Sequence, residues 1–248
     1  MNNPKDTSKR QARREQIRRK EQRGRMIGIG LISIGAIFIA FLIIYPNFKP
    51  VGAITVPEAL VRPNAKFNAA GNPDAPIRID EYSDFQCPYC DNFYKTTEAQ
   101  LIQTLVKDGT VYFVYHSFGE FIGSESSSSA EAAYCAGDQE KFWEMHDIIF
   151  ANQAGENQGA FSKARLLSFA ETLKLDMNKF ESCFNANKYK DTITQDGKDG
   201  IAGGVKATPS FVLSYTVNGE KKTKLIEGAQ TIDTFKQEVT AALAEMGK

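Results

Sequence analysis

Ile77-Arg78-Ile79-Asp80-Glu81-Tyr82-Ser83-Asp84-Phe85-Gln86-Cys87-Pro88-Tyr89-Cys90 runs from a strand-like pattern straight into a cysteine pair. In an extended chain Ile77, Ile79 and Glu81 share one face, and Arg78, Asp80 and Tyr82 share the other. Pro88 suits the first turn of a helix, where its missing N–H costs nothing. The helix expected to follow reaches about Val106, with Phe93, Leu101, Ile102 and Leu105 on its inner side. Asp108-Gly109 ends it, and Val111 to His116 reads as a second strand. Strand, helix, strand at this length is a βαβ unit, with a parallel pair and a right-handed crossover.

The spacing of Cys87 and Cys90 lets a disulfide close within one helical turn. Such a bond constrains little of the fold, so its use is chemical. A cysteine at a helix N-terminus faces unpaired backbone N–H groups and the positive end of the helix dipole, which favour thiolate over thiol. The thiolate is the form that attacks disulfides.

Beyond the second strand the pattern is helical over about residues 124–204. Ser128 and Glu131 have the spacing of a capping box, predicted to start the helix that carries Cys135. Gln139 to Asn152 and Phe161 to Leu173 are further helices. Asp176 caps another, where Phe180, Cys183 and Phe184 share a face, and one more ends near Gly203-Gly204. Strands return at Ser210 to Val217 and Glu220 to Ile226, around the hairpin signal Asn218-Gly219. An amphipathic helix from Ile232 to Met246 closes the chain. The order βαβ, helical block, ββα predicts an α/β, thioredoxin-like fold with a helical insertion at about 124–204, in a domain of residues 72–248.

The N-terminal region has a different character. Residues 1–25 carry ten Lys/Arg against three acids. Residues 26–45 contain no charge. A helix of that length spans roughly 30 Å, the thickness of a bilayer core. The basic arm lies on its N-terminal side, so that side is expected in the cytoplasm and the rest outside. A cleaved signal peptide is the competing reading. Its apolar core is normally shorter, and the only candidate cleavage site, Val51-Gly52-Ala53, lies well past the end of the run. The expectation is an uncleaved single-pass anchor in the cell membrane. The anchor explains the basic arm, so nucleic-acid binding is not expected. Residues 46–71, with Pro46, Pro50, Pro57 and Pro63, read as a linker in which Ala53 to Val61 could pair as a short strand. None of the four cysteines lies in the basic arm, which fits an exported domain in an oxidising compartment.

Three stretches carry a family resemblance. Gly71 to Pro76 followed by Glu81 to Cys90 is the first. Glu140-Lys141-Phe142-Trp143-Glu144-Met145-His146-Asp147 is the second, and Ala207-Thr208-Pro209-Ser210-Phe211 is the third. Together they resemble the DsbA-like thiol:disulfide oxidoreductases over about residues 71–246, and the basic arm and apolar run resemble those of membrane-tethered members. The resemblance implies Cys87 as nucleophile and Cys90 as its buried partner, with Pro88 and Tyr89 tuning the pair. Strong oxidants of the family often have His where this chain has Tyr89.

The resemblance also implies a cis peptide bond at Pro209, which would place Thr208 beside the nucleophile for pairing with substrate backbone. An ordinary trans proline at a strand edge is the alternative. Glu81, where the family often has Glu, would be a buried acid moving the proton of Cys90. Its alternative is a strand-end carboxylate in water. Cys135 and Cys183 have three readings. They form a structural disulfide, as in some DsbA-like proteins; they are buried free thiols; or they join Cys87 and Cys90 around zinc. No metal is expected at the reactive site. His116 and His146 are expected to serve packing. No phosphate loop or nucleotide fingerprint is present in the sequence, so no bound cofactor is implied.

The expected function is oxidation of cysteine pairs in exported proteins, followed by reoxidation by a DsbB-like or VKOR-like membrane partner, with the chain a monomer. A reductase or isomerase kept reduced by a membrane donor is the first alternative. A non-catalytic client-binding module is the second.

Overall fold

The computed structural model of the chain describes residues 52–119 and 121–248, with scattered positions between 18 and 39. The chain divides into two compact units, Met1–Pro50 and Val51–Lys248. In the first, the described positions are helical. Among the described residues no helix is long and apolar enough to cross a membrane. The anchor expected at 26–45, the arm at 1–25 and the first part of the linker lie largely outside the described residues.

The second unit is built on a five-stranded sheet in the order β1-β3-β2-β4-β5. These are Ala69–Ala70 (β1), Ile77–Ser83 (β2), Val111–Ser117 (β3), Ser210–Val217 (β4) and Glu220–Glu227 (β5). β2 and β3 run parallel, and the other pairs are antiparallel. The helix between β2 and β3, called α1 here, spans 88–106. It opens as Pro88–Phe93, passes through π-helical turns at Tyr94–Glu98 and Ile102–Val106, and keeps α geometry at Ala99–Leu101. A π turn shifts the side-chain register. In the first of them two consecutive residues, Thr97 and Glu98, are both buried.

The insertion is five helices, Ser124–Gly137 (α2), Phe142–Ala151 (α3), Lys163–Thr172 (α4), Met177–Asn185 (α5) and Lys190–Ala202 (α6). Ile232–Glu245 (α7) closes the fold. The sheet face carrying Ile77, Ile79, Phe113, Tyr115 and Phe211 is fully buried. Phe93 of α1 and Phe235 of α7 pack on Phe211 at ring distances of 4.6 and 4.9 Å. Phe142, Trp143 and His146 of α3 close the same face over Phe113 and Tyr115. The other face, with Tyr82 and His116, lies under α6. There Gly200 allows close approach, because a Cβ at that position would stand 2.8 Å from both the Tyr82 and Phe118 rings. The hairpin turns on Asn218 and Gly219, both with positive φ, as a type I′ turn requires.

Three expectations are corrected. α2 begins at Ser124, not at Ser128. Gly123 precedes its first turn, and the Ser128 and Ser129 hydroxyls donate back to the carbonyls of Ser124 and Glu125, the way serine is accommodated inside a helix. Ala53 to Val61 is not a strand. The Thr55 N–H donates to Asn152 Oδ1 at 2.8 Å, and the Thr55 carbonyl accepts from Asn152 Nδ2 at 2.7 Å, so one side-chain amide satisfies backbone that would otherwise need a neighbouring strand. The domain does not start at residue 72. The described part of the expected linker, 52–71, belongs to the folded unit: Ala69 and Ala70 pair with β3, Phe67 stacks on Tyr134, and Arg62 is buried in an ion cluster.

Candidate active site

Cys87 stands at the junction of β2 and α1 as the residue preceding the first helical turn, with Pro88 at the first position. Its Sγ lies 3.3 Å from the Thr208 carbonyl oxygen, to which the thiol donates. The Thr208–Pro209 peptide bond is cis. β4 begins directly after it, pairing Ser210 with Tyr82 and Phe211 with Glu81. The antiparallel β2–β4 pair thus carries the proline loop to the cysteine across 121 residues of sequence. Pro88 and Tyr89 are exposed at the rim, Tyr89 by 68%.

The two thiols sit in opposite environments. Cys87 is pulled down from 9.0 to about 6. The largest cause is a hydrogen bond from Cys90; burial works against it, and the Thr208 side chain and the backbone N–H groups of Cys90 and Tyr89 add to the lowering. Those N–H groups belong to the opening turn of α1, as the helix-terminus argument requires. Cys90 is fully buried, and burial pushes its thiol well above the ordinary value; its neighbour Cys87 pushes further. The Asp84 N–H, 3.5 Å from Cys90 Sγ, pulls weakly the other way.

Glu81 is 1% exposed. Burial raises its carboxyl well above the ordinary range, and the charge of Glu98 raises it further. The Ser83 hydroxyl, two residues along the same strand face, lowers both Glu81 and Cys90 without meeting full hydrogen-bond geometry with either. The arrangement pairs a nucleophile that ionises readily with a partner thiol and a carboxyl that both favour their neutral forms. It can accept a thiolate attack at Cys87 Sγ and release Cys90 as a thiol once a proton reaches it.

Several contacts at this corner escaped the sequence reading. Gln153 Nε2 donates to the carbonyls of Phe85 and Cys87 at 2.9 and 3.0 Å. Gln86 Nε2 donates to Ser126 Oγ, and Gln86 Oε1 accepts from the Asn157 N–H. The insertion therefore grips the strand-to-helix turn. Nothing in the spacing of Gln86, Ser126 and Gln153 signals this. His116 is more than packing: its ring nitrogens bridge Asp80 at 2.8 Å and Asp196 at 2.9 Å. Burial opposes its charge, but Asp196 and Asp80 outweigh burial and lift His116 to about 9. Cys135 and Cys183 are bonded to each other, at 1.97 Å between sulfurs and 5.8 Å between Cα atoms. That leaves neither as a free thiol, nor as a partner of Cys87 and Cys90 around a metal.

Comparison with known proteins fits this geometry. Residues 65–240 match the model of a family described as thioredoxin. The chain belongs to that thioredoxin family. It is 32% identical over 175 residues to a chain named Na(+)/H(+) antiporter NhaA 1 from Salinispora arenicola, covering 70% of this chain and only 24% of that one. It is 27% identical over 148 residues to a probable disulfide bond formation protein D of Bacillus cereus, covering 58% of this chain and 68% of that one. Among solved structures, oxidised BdbD from Bacillus subtilis aligns with a TM-score of 0.61 at 20% identity, over 71% of this chain and 92% of that one. Wolbachia pipientis alpha-DsbA1 aligns at 0.62 and 19% identity, over 75% and 96%. The thioredoxin-family chain thus has the architecture of DsbA-type proteins.

Proposed function

We propose that this thioredoxin-family chain is a thiol:disulfide oxidoreductase that oxidises cysteine pairs in exported proteins. The observation that carries the reading is the approach of Cys87 Sγ to the Thr208 carbonyl beside cis-Pro209, with Cys87 lowered to about 6 and Cys90 raised. In the oxidised state a client thiolate attacks Cys87 Sγ. The Cys87–Cys90 bond breaks, and its electron pair goes to Cys90, which takes a proton supplied by Glu81. A second client thiolate then attacks the client sulfur of the mixed disulfide. Cys87 leaves as a stabilised thiolate, and the client keeps the new bond. Thr208 offers its backbone to an extended client segment, in the manner of an added strand. Pro88 and Tyr89 shape the rim that the client meets.

The setting proposed is extracytoplasmic, on a single membrane anchor at 26–45, with a monomeric chain. Reoxidation falls to a quinone-linked membrane partner of DsbB-like or VKOR-like type, and a shared membrane raises the effective concentration of the two. Several relatives are named as membrane transporters, which supports such a domain working at a membrane. A reducing or isomerising role uses the same exchange chemistry in the other direction, and the reduction potential separates the two.

The test is trapping. The full chain with Cys90→Ala, incubated with an unfolded client carrying an activated disulfide, is expected to accumulate a mixed disulfide through Cys87. The chain with Cys87→Ser is expected to accumulate none. A chain that still supports client folding with Cys87→Ser would instead be a non-catalytic binding module.

A further inference from the structure

Besides Asp84 Oδ2 and Thr208 Oγ1 at the cysteines and Arg62 Nε farther in, the buried polar atoms without a hydrogen-bond partner include Glu81 Oε2, Ser83 Oγ, Tyr115 OH and His146 Nε2. Each such group is ordinarily costly to leave unpaired. The last four occupy one connected region. Glu81 and Ser83 alternate on one face of β2, and Tyr115 is the register partner of Glu81 on β3. The Tyr115 ring meets His146 of α3 edge-on at 5.2 Å. His146 Nε2 lies 3.9 Å from Glu98 Oε2, and its Nδ1 lies 2.9 Å from Asp147 Oδ1. Arg62 ties the far side together, donating to Glu98 at 2.6 Å and to both Asp147 oxygens at 2.7 and 2.9 Å. Arg62 and Asp147 in turn line a cavity of 620 Å³ that none of Glu81, Cys87, Cys90 or Thr208 lines.

The charges in this cluster do not cancel by themselves. Glu98 and Asp147 bring two carboxylates against the one permanent cation, Arg62. The His146 ring lies between the two carboxylates, with Nε2 toward Glu98 and Nδ1 on Asp147. Tyr94, the other titratable group packed on His146, lies with ring centroids 5.7 Å away; burial and the charges of Asp147 and Glu98 hold its phenol neutral. The remaining rings on His146 are Phe85, Phe142, Trp143 and Phe150.

We propose that His146 is a proton-relay residue that resupplies Glu81, by way of Glu98 and the buried atoms around Tyr115, from the cavity behind Arg62 and Asp147. The proposal rests on the oxidoreductase reading above and deepens it. When Cys90 leaves Cys87, it gains the electron pair and takes a proton from Glu81. Glu81 would then be a buried carboxylate in an apolar surround. A proton passed from His146 returns it to the neutral acid, and His146 recovers its own proton from solvent through the cavity. The two electrons come from the client dithiol, whose thiol protons leave to solvent. Buried waters are the usual way such orphaned groups are joined.

The test is single-turnover reduction of the oxidised full chain by a dithiol peptide, followed by rapid acid quench from about pH 6 to about pH 8. His146→Phe keeps the ring volume among its aromatic neighbours. The variant is expected to slow reduction by about 10-fold or more near pH 8, the lower reach of a lost general acid being about 100-fold. The deficit should shrink toward pH 6, where direct proton entry is faster, while the Cys87 titration stays unchanged. Glu98→Gln should give the same pH-dependent deficit, and it serves as the readout if His146→Phe does not melt cooperatively. A rate equal to the unsubstituted chain at every pH overturns the relay, as does one constant factor of loss across the range. A native chain inert toward the peptide refutes the oxidoreductase reading instead.

Discussion

Lowering the pH should remove part of the stability of the reduced protein through Cys87. Its thiol lies at 9.0 when unperturbed and about 6 in the fold. A depressed acid contributes stability that is fully present above its unfolded value and lost as pH falls through its folded value. Three pKa units correspond to about 4 kcal/mol at the alkaline limit, at about 1.4 kcal/mol per unit. At about pH 8 some 2 units remain effective, or about 3 kcal/mol; at about pH 5 almost nothing remains. Cys87 sits beside exposed Pro88 and Tyr89, so solvent screening makes this figure an upper bound. The assay is denaturant unfolding of the reduced full chain and of its Cys87→Ser variant, each at a series of pH values. The difference between the two curves should grow from pH 5 to pH 8, by up to about 3 kcal/mol. A difference that stays flat would show that the α1 terminus and the Cys90 hydrogen bond do not hold a thiolate, and the nucleophile assignment would fail with it.

Glu81 has a raised carboxyl, so the fold loses stability as pH rises above the ordinary carboxylate value. Glu81→Gln should therefore raise the melting temperature more at pH 8 than at pH 4, while slowing disulfide exchange; equal gains at both pH values would mean the carboxyl is not held neutral. His116 acts in the same direction, in a higher pH window. Its charge is held by Asp196 and Asp80, so its contribution is fully present below about 6.5 and is lost as pH rises through about 9. His116→Asn should flatten the fall in stability between those values, measured by thermal melting. Arg62→Met should cost about 3–5 kcal/mol in denaturant unfolding, because Glu98 and Asp147 stay buried without their one permanent cation. A cost below about 1 kcal/mol would place that cluster among the weak surface pairs.

What the sequence reveals follows from how local each signal is. The βαβ unit is legible because Ile77, Ile79 and Glu81 alternate and Pro88 fixes the start of α1. The hairpin is legible because Asn218-Gly219 demands positive φ. Asp176 is legible as a cap, and its carboxylate does accept from the Asn178 and Lys179 N–H groups. The start of α2 was misplaced because Ser128 and Glu131 mimic a capping box, whereas the serines bond within the helix and Glu131 accepts from the distant Tyr189 N–H. β1 was invisible: two alanines show no alternation, and only β3 makes them a strand. The apparent strand at 53–61 failed because Asn152, almost a hundred residues away, satisfies its backbone. The same distance effect hides half of the site. Cys87, Cys90 and Glu81 lie in one stretch and are read together, and the family resemblance adds Thr208 and Pro209. Arg62, Glu98 and His146 come from three separate segments, and only the fold puts them in one cluster.

The reduction potential of the Cys87–Cys90 pair, in the full chain with Cys135 and Cys183 intact, tests the account most directly. Equilibration with glutathione buffers reads it. The Cys87 value of about 6 lies between the about 3.5 of a strong oxidant and the about 7 of thioredoxin. A potential between about −120 and −230 mV is expected, that of a pair that gives its disulfide away. A potential at or below about −270 mV, that of thioredoxin, would contradict it and make the chain a reductase.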